Sequence, residues 1–168
     1  MGNVKHLAYG EAIEKMKKLA EDINICMFCT GSKLPFETRP MATQQVDSDG
    51  NFWFLSDSSS DKNMEIKEGT NVQLIYAKPG DYHFMTVSGK AVVLKDKPVI
   101  EGLWTPMAKA WFKGGVDDPN LTAICVKPED AYYWDTEHGK MVSFLKIAAA
   151  AMSNKDTDDG GVEGKMII

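Results

Sequence analysis

The sequence has little of several features that mark whole classes of protein. Only one of its 19 basic residues is an arginine, and 24 acidic residues give a net charge of −5. This balance argues against a general nucleic-acid partner, which would need a basic surface. No run approaches the ~20 apolar residues of a membrane span. Residues 1–23 also lack the apolar segment of a signal peptide. We therefore expect a cytoplasmic protein with no membrane partner.

Cysteine is scarce as well. Three cysteines cannot all pair with one another, which suits a reducing compartment. Cys26 and Cys29 have Cys-x-x-Cys spacing, but the surrounding INICMFCT predicts a strand, where positions i and i+3 point to opposite faces. No further cysteine pair or His-x-x-His completes a metal site. We predict that these two residues, like Cys125 in LTAICV, are core residues that bind no metal and form no disulfide.

No catalytic motif is recognisable either. The three histidines, His6, His83 and His138, are scattered, and none stands in a triad motif with serine or cysteine. No catalytic side chain is therefore predicted.

The apolar pattern predicts a mainly β domain over 1–152 with peripheral helices. An amphipathic helix is expected over 8–20, and Asp47 to Gly50 and Lys78 to Asp81 are typical hairpin turns. Because strands do not alternate with long helices, we predict an antiparallel barrel, closed or nearly closed. The strand-like segments are 23–30, 37–46, 51–56, 71–77, 82–94, 121–126 and 131–135. Further helices are expected over 59–67, 97–113 and 142–152, and 153–168 is interpreted as a solvated tail.

Arg39 is the first candidate for a phosphate contact. Its planar guanidinium matches a phosphate or ring carbonyl in a bidentate way that lysine cannot copy. Pro40 has no N–H, which indicates a strand edge or a bulge where a ligand can approach the backbone. The alternative is a surface arginine in a fully paired strand.

The second candidate is FLSDSSSDK, residues 54–62, where a strand meets a serine-rich turn and a short helix. Serine hydroxyls, the free N–H groups of a helix start and the charge of Lys62 together favour an anion. The alternative is that the serines only cap the helix.

At these residues the sequence resembles a known family. TRPMATQ, DGNFWFLSDSSSDKNMEI, LWTPMAKAWFKGGVDDPNL and AYYWD resemble the pyridoxamine 5′-phosphate oxidase-like FMN-binding split barrels, within them the general stress protein subgroup. The likeness covers residues 8–152. It implies an antiparallel six-stranded split β-barrel and a homodimer with FMN, or alternatively FAD, at the subunit interface.

The resemblance also implies roles for individual residues. Arg39, Pro40 and Met41 would line the flavin, and Leu55 and Ser56 would offer backbone to its ring. Lys62, with Ser60 from the serine cluster, would bind the phosphate. Asp61 stands where the oxidases commonly have an arginine, which leaves the phosphate site with less positive charge.

Trp111 is the last candidate for flavin contact. It lies in an aromatic segment with Trp104 and Phe112 that could cover a flavin edge. Core packing of one helical face is the alternative.

Three functions remain open from the sequence. The first is an FMN-dependent oxidoreductase with an unknown small-molecule redox partner. The second is a flavin-binding or sequestering module without turnover. The C-terminal basic motif with which the oxidases recognise their substrate is not recognisable here, which favours that second function. A split barrel that binds haem or another planar ligand is the third, although no motif selects an axial ligand.

Overall fold

One curled, mostly antiparallel sheet organises the computed structural model of the chain, which describes residues 3–31, 33–66, 69–136 and 161–168. Three short 3₁₀ turns occupy Pro79–Asp81, Pro106–Ala110 and Gly115–Asp117. The α-helices are α1 (Tyr9–Ile23), α2 (Asp61–Glu65) and α3 (Lys97–Leu103). The strands are β1 (Asn3–Val4), β2 (Ile25–Thr30), β3 (Glu37–Ala42), β4 (Gln45–Val46), β5 (Phe52–Asp57), β6 (Thr70–Lys78), β7 (His83–Leu94), β8 (Leu121–Thr136) and β9 (Gly161–Met166).

The barrel is split along two strand edges. Its antiparallel strands follow the order β5–β8–β7–β6–β2–β3. The two end strands, β3 and β5, are in contact without forming a ladder in the described part of the chain. This arrangement confirms the predicted six-stranded split barrel. The short strand β4 pairs antiparallel with the start of β5, while β9 pairs with β8 and with β1.

The curl of the sheet is produced where β7 and β8 bend together. The pairing register shifts between Ser88 and Gly89, opposite Pro128. A Cβ at Gly89 would lie only 2.2 Å from the Lys127 carbonyl oxygen, so only glycine allows this approach. Residues 121–126 of β8 then pair with β5, and residues 131–136 pair with β9. The two strands predicted here are thus one bent strand.

The barrel core follows from the alternation of side chains along each strand. Inward-facing residues such as Phe28, Leu74 and Tyr76 are fully buried. The apolar stripe of α1 covers the open side of this core with Met16 and Leu19. The predicted helix over 8–20 is confirmed and continues to Ile23.

A second, smaller apolar cluster packs α3 against β5 and β8. It contains Leu55, Ile100, Leu103, Ala108, Leu121 and Ala123. The helix predicted over 97–113 is wrong beyond Leu103, because Pro106 disfavours helical backbone at the residue before it. As a result Ala108 is buried, whereas Trp111, predicted to share its helical face, is 79% exposed.

Two further predictions are corrected by the sheet. The segment interpreted as a solvated tail includes β9, in which Val162 and Met166 are buried. The expected strand 37–46 is interrupted after Ala42, and β4 begins at Gln45. The predicted helix over 142–152 lies outside the described residues. None of the described helices is long and apolar enough to cross a membrane.

The cysteines lie on strands, as predicted. Cys26 and Cys29 are buried in β2, and burial raises the pKa of the Cys26 thiol to about 12. Cys125, predicted to be a core residue, is only half-buried in β8, since it lies on the face opposite the buried Ile124. Its thiol nevertheless has a pKa raised to about 11, mainly by burial.

Candidate functional site

The gap between β3 and β5 collects most of the predicted site residues. Arg39 lies on β3, whose only partner strand in the described part of the chain is β2. Pro40, without an N–H to donate, is tolerated because β3 is an edge strand. The predicted strand edge is confirmed. Arg39 and Met41 share the inner face of β3, and Pro40 is exposed on the outer face.

A ring of hydrogen bonds fixes α2 over the end of β5. The buried Ser56 hydroxyl donates to Asn63 Oδ1 over 2.7 Å, and Asn63 Nδ2 donates to Thr122 Oγ1 over 2.7 Å. The Thr122 hydroxyl closes the ring by donating to the Ser56 carbonyl over 2.9 Å. Sequence reasoning found Ser56 but missed Asn63 and Thr122, because their pairing joins distant segments. The ring makes α2 a fixed platform beside the gap.

Ser60 does not act as a helix cap, although it occupies the N-cap position of α2. Its hydroxyl donates instead to the Asp57 carbonyl over 2.7 Å. The same oxygen accepts from Lys62 Nζ at 3.3 Å. For this serine the capping alternative is wrong, because its hydroxyl accepts a hydrogen bond from Lys62 and caps no backbone N–H of α2.

The charges of Lys62 and Arg39 act on each other. Burial lowers the pKa of the Lys62 ammonium, and the positive charge of Arg39 lowers it further, while Asp57 partly offsets both. Within the described residues the Lys62 ammonium forms no ion pair. Two cations whose charges act on each other, one of them without an ion-pair partner among the described residues, favour an anion beside them.

Glu65 and Thr30 complete the surroundings of Arg39, and sequence reasoning missed both. Arg39 Nη1 and Nη2 donate to Glu65 Oε2 over 3.3 and 3.1 Å, and Nη2 also donates to Thr30 Oγ1 over 3.3 Å. The Thr30 hydroxyl in turn donates to Glu65 Oε2. This hydrogen bond is the largest cause of the lowered pKa of Glu65; burial opposes it, and the hydrogen bonds and charge of Arg39 lower the pKa further.

Leu55 presents backbone at the gap. Trp53 accepts a hydrogen bond from Gln44 N on the β4 side, and alternate residues of a strand direct their backbone groups to the same side. The N–H and C=O of Leu55 therefore point to that side too. There β4 pairs only with Phe52 and Trp53 in the described part of the chain. The Leu55 side chain is buried in the second apolar cluster.

The remaining predicted residues lie apart from the two cations. The Met41 side chain packs in the barrel core. Trp111 is on the surface, bonded through its N–H to the Ala108 carbonyl, in a segment that packs next to Leu55 through Ala108. Asp61 is exposed at the start of α2. The structure thus brings together Arg39, Ser56, Ser60 and Lys62, with Leu55 beside them.

Two cavities are lined by described residues, and they differ in their distance from the site. One of about 410 Å³ lies beside Glu65 and is lined by Thr30, Gly31, Glu37, Glu65, Thr70 and Asn71. A larger one of about 870 Å³ lies between α1, β8 and β9 and contains none of the predicted site residues. The smaller cavity is the nearer of the two to Arg39, because Thr30 and Glu65, which accept hydrogen bonds from Arg39, line it.

Comparison with known proteins gives consistent matches. A curated relative, protein bli-3 of Neurospora crassa, is 30% identical over 107 residues, which are 57% of this chain and 50% of that protein. The chain therefore matches about half the length of this relative.

Two solved structures share the fold over most of their length. A protein of the general stress protein 26 type from Jannaschia sp. CCS1 has a TM-score of 0.79 and 23% identity, covering 94% of this chain and 99% of its own. The general stress FMN/FAD binding protein of Xanthomonas citri has a TM-score of 0.65 and 26% identity, covering 74% and 89%.

The family model described as pyridoxamine 5′-phosphate oxidase like matches residues 11–158, which is most of the chain. The split-barrel fold agrees with that match. The chain belongs to the pyridoxamine 5′-phosphate oxidase-like family.

Proposed function

We propose that the chain binds FMN, with FAD as the alternative, in the gap between β3 and β5, and that it is an oxidoreductase. The observation that carries the proposal is the meeting of Arg39 on β3 with Lys62, whose ammonium donates to the Ser60 hydroxyl over 3.3 Å and whose pKa the charge of Arg39 lowers. A phosphate group between them would be held by charge-assisted hydrogen bonds, the strongest kind available to a neutral-pH site.

The residues present suit the rest of the cofactor. Arg39, Lys62 and the Ser60 hydroxyl would hold the phosphate. The N–H and C=O of Leu55 would meet the polar edge of the ring, because they point to the unpaired side of β5. When bound, the flavin supplies electron or hydride transfer, and the protein binds and orients it.

A relative supports the ligand class. The X. citri protein, 26% identical, is described as binding FMN or FAD. Catalysis has less support, because Asp61 reduces the positive charge of the phosphate site. A flavin-binding module without turnover is therefore the second candidate.

The first experiment is the absorbance spectrum of the freshly purified protein, followed by fluorescence titration with FMN and riboflavin. We expect a flavin spectrum and clearly tighter binding of FMN than of riboflavin, since only FMN carries the phosphate. A haem spectrum, or equal affinity for the two flavins, contradicts the proposed site. Oxidation of NAD(P)H by the FMN-loaded protein then separates the enzyme from the binding module.

We further propose that the chain forms a homodimer through the outer face of its sheet. A cross-strand row on that face contains Pro40, Met27, Ile75, Thr86 and Tyr132. The neighbouring row contributes Ile25, which is 54% exposed. A largely apolar sheet face of this kind on a protein surface favours association with a second copy. Because Pro40 lies on the same edge strand as Arg39, such a dimer would bring the second subunit close to the phosphate residues.

A further inference from the structure

The guanidinium of Arg39 is already held by a carboxylate of the same chain. Glu65 Oε2 accepts from both Nη atoms of Arg39, at 3.3 and 3.1 Å, and from the hydroxyl of Thr30. One carboxylate oxygen thus receives three donated hydrogen bonds. A phosphate oxygen placed beside Arg39 would accept hydrogen bonds from these same donors.

The members of this cluster differ in how firmly they are held. Arg39 and Thr30 lie on paired strands, and Thr30 is buried. Glu65 is the last residue of α2, and its side chain is 35% exposed against 22% for that of Arg39. A partly exposed ion pair at a helix end contributes little stability, so the Glu65 side chain can rotate away at small cost. Arg39 and Thr30 would then stay in place for another anion.

Glu65 also shares a side of α2 with Lys62. The two residues are three positions apart in the helix, so their side chains project from the same side of α2. Because the pKa of Glu65 is lowered, mainly by the Thr30 hydrogen bond, its carboxylate remains charged at neutral pH. A charged carboxylate bonded to Arg39 reduces the attraction of the gap for an anion.

We propose that Glu65 is an internal competitor of the ligand phosphate: it occupies Arg39 and Thr30, must be displaced when phosphate binds, and so sets the affinity for phosphorylated ligands. The inference rests on the proposed function, since it concerns the same phosphate site. A role in which Glu65 merely orients Arg39 predicts the opposite effect, because its removal would then weaken phosphate binding.

The test compares Glu65→Gln with Glu21→Gln, which removes the same charge from an exposed position of α1. FMN and riboflavin are titrated into each variant by flavin fluorescence. We expect Glu65→Gln to bind FMN about two- to fivefold more tightly, the range of a partly exposed ion pair, and to bind riboflavin as the wild type does. Glu21→Gln should change neither affinity. Unchanged or weaker FMN binding, or an equal change for both flavins, overturns the proposal.

A second measurement separates this inference from the proposed function. Inorganic phosphate is titrated while the melting temperature is followed, in the wild type, Glu65→Gln and Glu65→Ala. Both variants should gain more stabilisation from phosphate than the wild type does. If the wild type binds no flavin, the flavin proposal fails, and this titration still tests Glu65. If flavin binds and the phosphate response of both variants equals that of the wild type, the competitor role of Glu65 is refuted.

Discussion

At the scale of single residues, the positive charge of Lys62 favours ligand binding but lowers the stability of the fold. Its pKa is lowered by burial and then by Arg39. A lysine with a lowered folded pKa destabilises the fold while it is charged. This cost is fully present below the folded pKa and disappears above the unfolded value of about 10.4. At neutral pH the charge on Lys62 is therefore a cost that a bound phosphate would offset.

Lys62→Met should accordingly raise the melting temperature of the ligand-free protein while weakening FMN. Loss of one charge-assisted contact, about 1.5–3 kcal/mol, lowers FMN affinity by roughly one to two orders of magnitude. Riboflavin affinity should hardly change. Thermal unfolding and fluorescence titration measure both effects, with Lys17→Met, an exposed lysine of α1, as the control. Equal weakening of FMN and riboflavin would mean that Lys62 only supports the fold.

Asp61→Arg tests the charge of the phosphate site in the opposite direction. The substitution restores the arginine that the oxidases commonly have before their phosphate-binding lysine. We expect tighter FMN binding and unchanged riboflavin binding, because the added charge meets only the phosphate. Asp61→Asn, which removes the negative charge alone, should lie between the wild type and Asp61→Arg in the same titration. A drop in FMN affinity with Asp61→Arg would place the phosphate away from this end of α2.

The sequence is informative where chemistry is local and uninformative where it is not. A single arginine before a proline, and a serine-rich turn before Lys62, predict an anion site without any structure. Glu65 could not be predicted as a partner of Arg39 and Thr30, since it lies 26 and 35 positions from them in a separate element. The sequence shows only that Glu65 follows Lys62 by three residues, and this spacing indicates no partner for Glu65 until α2 is placed beside β3.

At the scale of elements, hairpins were predictable and long-range pairing was not. Turn residues such as those from Asp47 to Gly50 locate the β4–β5 connection correctly. The polar composition after residue 152 concealed β9, although Val162, Gly164 and Met166 alternate as strand residues do. The sequence predicts two strands over 121–126 and 131–135, yet β8 runs through both because the register shift at Gly89 accommodates the bend.

Gly89→Ala should therefore destabilise the whole sheet. The added Cβ would meet the Lys127 carbonyl oxygen at 2.2 Å, a backbone atom that cannot move aside cheaply. Overpacking of this kind typically costs about 1–3 kcal/mol. Gly102→Ala in α3 is the matched control, because its Cβ would meet nothing within 4 Å and helices favour alanine. Urea unfolding should show a lower free energy of unfolding for Gly89→Ala and no loss for Gly102→Ala. Equal unfolding curves would show that the close approach at Gly89 does not constrain the bend.

At the scale of the whole molecule, the arrangement of the sheet links assembly to the ligand. The inner face of β2 and β6 is buried, whereas Met27 and Ile75 stand opposite each other on the outer face, 41% and 38% exposed. Pro40 continues this row onto β3. A dimer interface that buries this row would also include β3, the edge strand that carries Arg39. Dimerisation and flavin affinity should consequently change together.

Ile75→Glu tests whether dimerisation and flavin affinity change together. It places a charge in the centre of the apolar row without disturbing the barrel core, because the Ile75 side chain points outward. We expect a monomer by light scattering at micromolar concentration, together with weaker FMN binding by fluorescence titration. Tyr9→Glu, at a residue of α1 that is 54% exposed, adds the same charge elsewhere and should leave both measurements unchanged.

A wild-type protein that is already monomeric would refute the dimer. A dimer that survives Ile75→Glu would place its interface on another face. Loss of the dimer with unchanged FMN affinity would show that each subunit holds its flavin alone, since the second copy would then contribute nothing to the gap between β3 and β5.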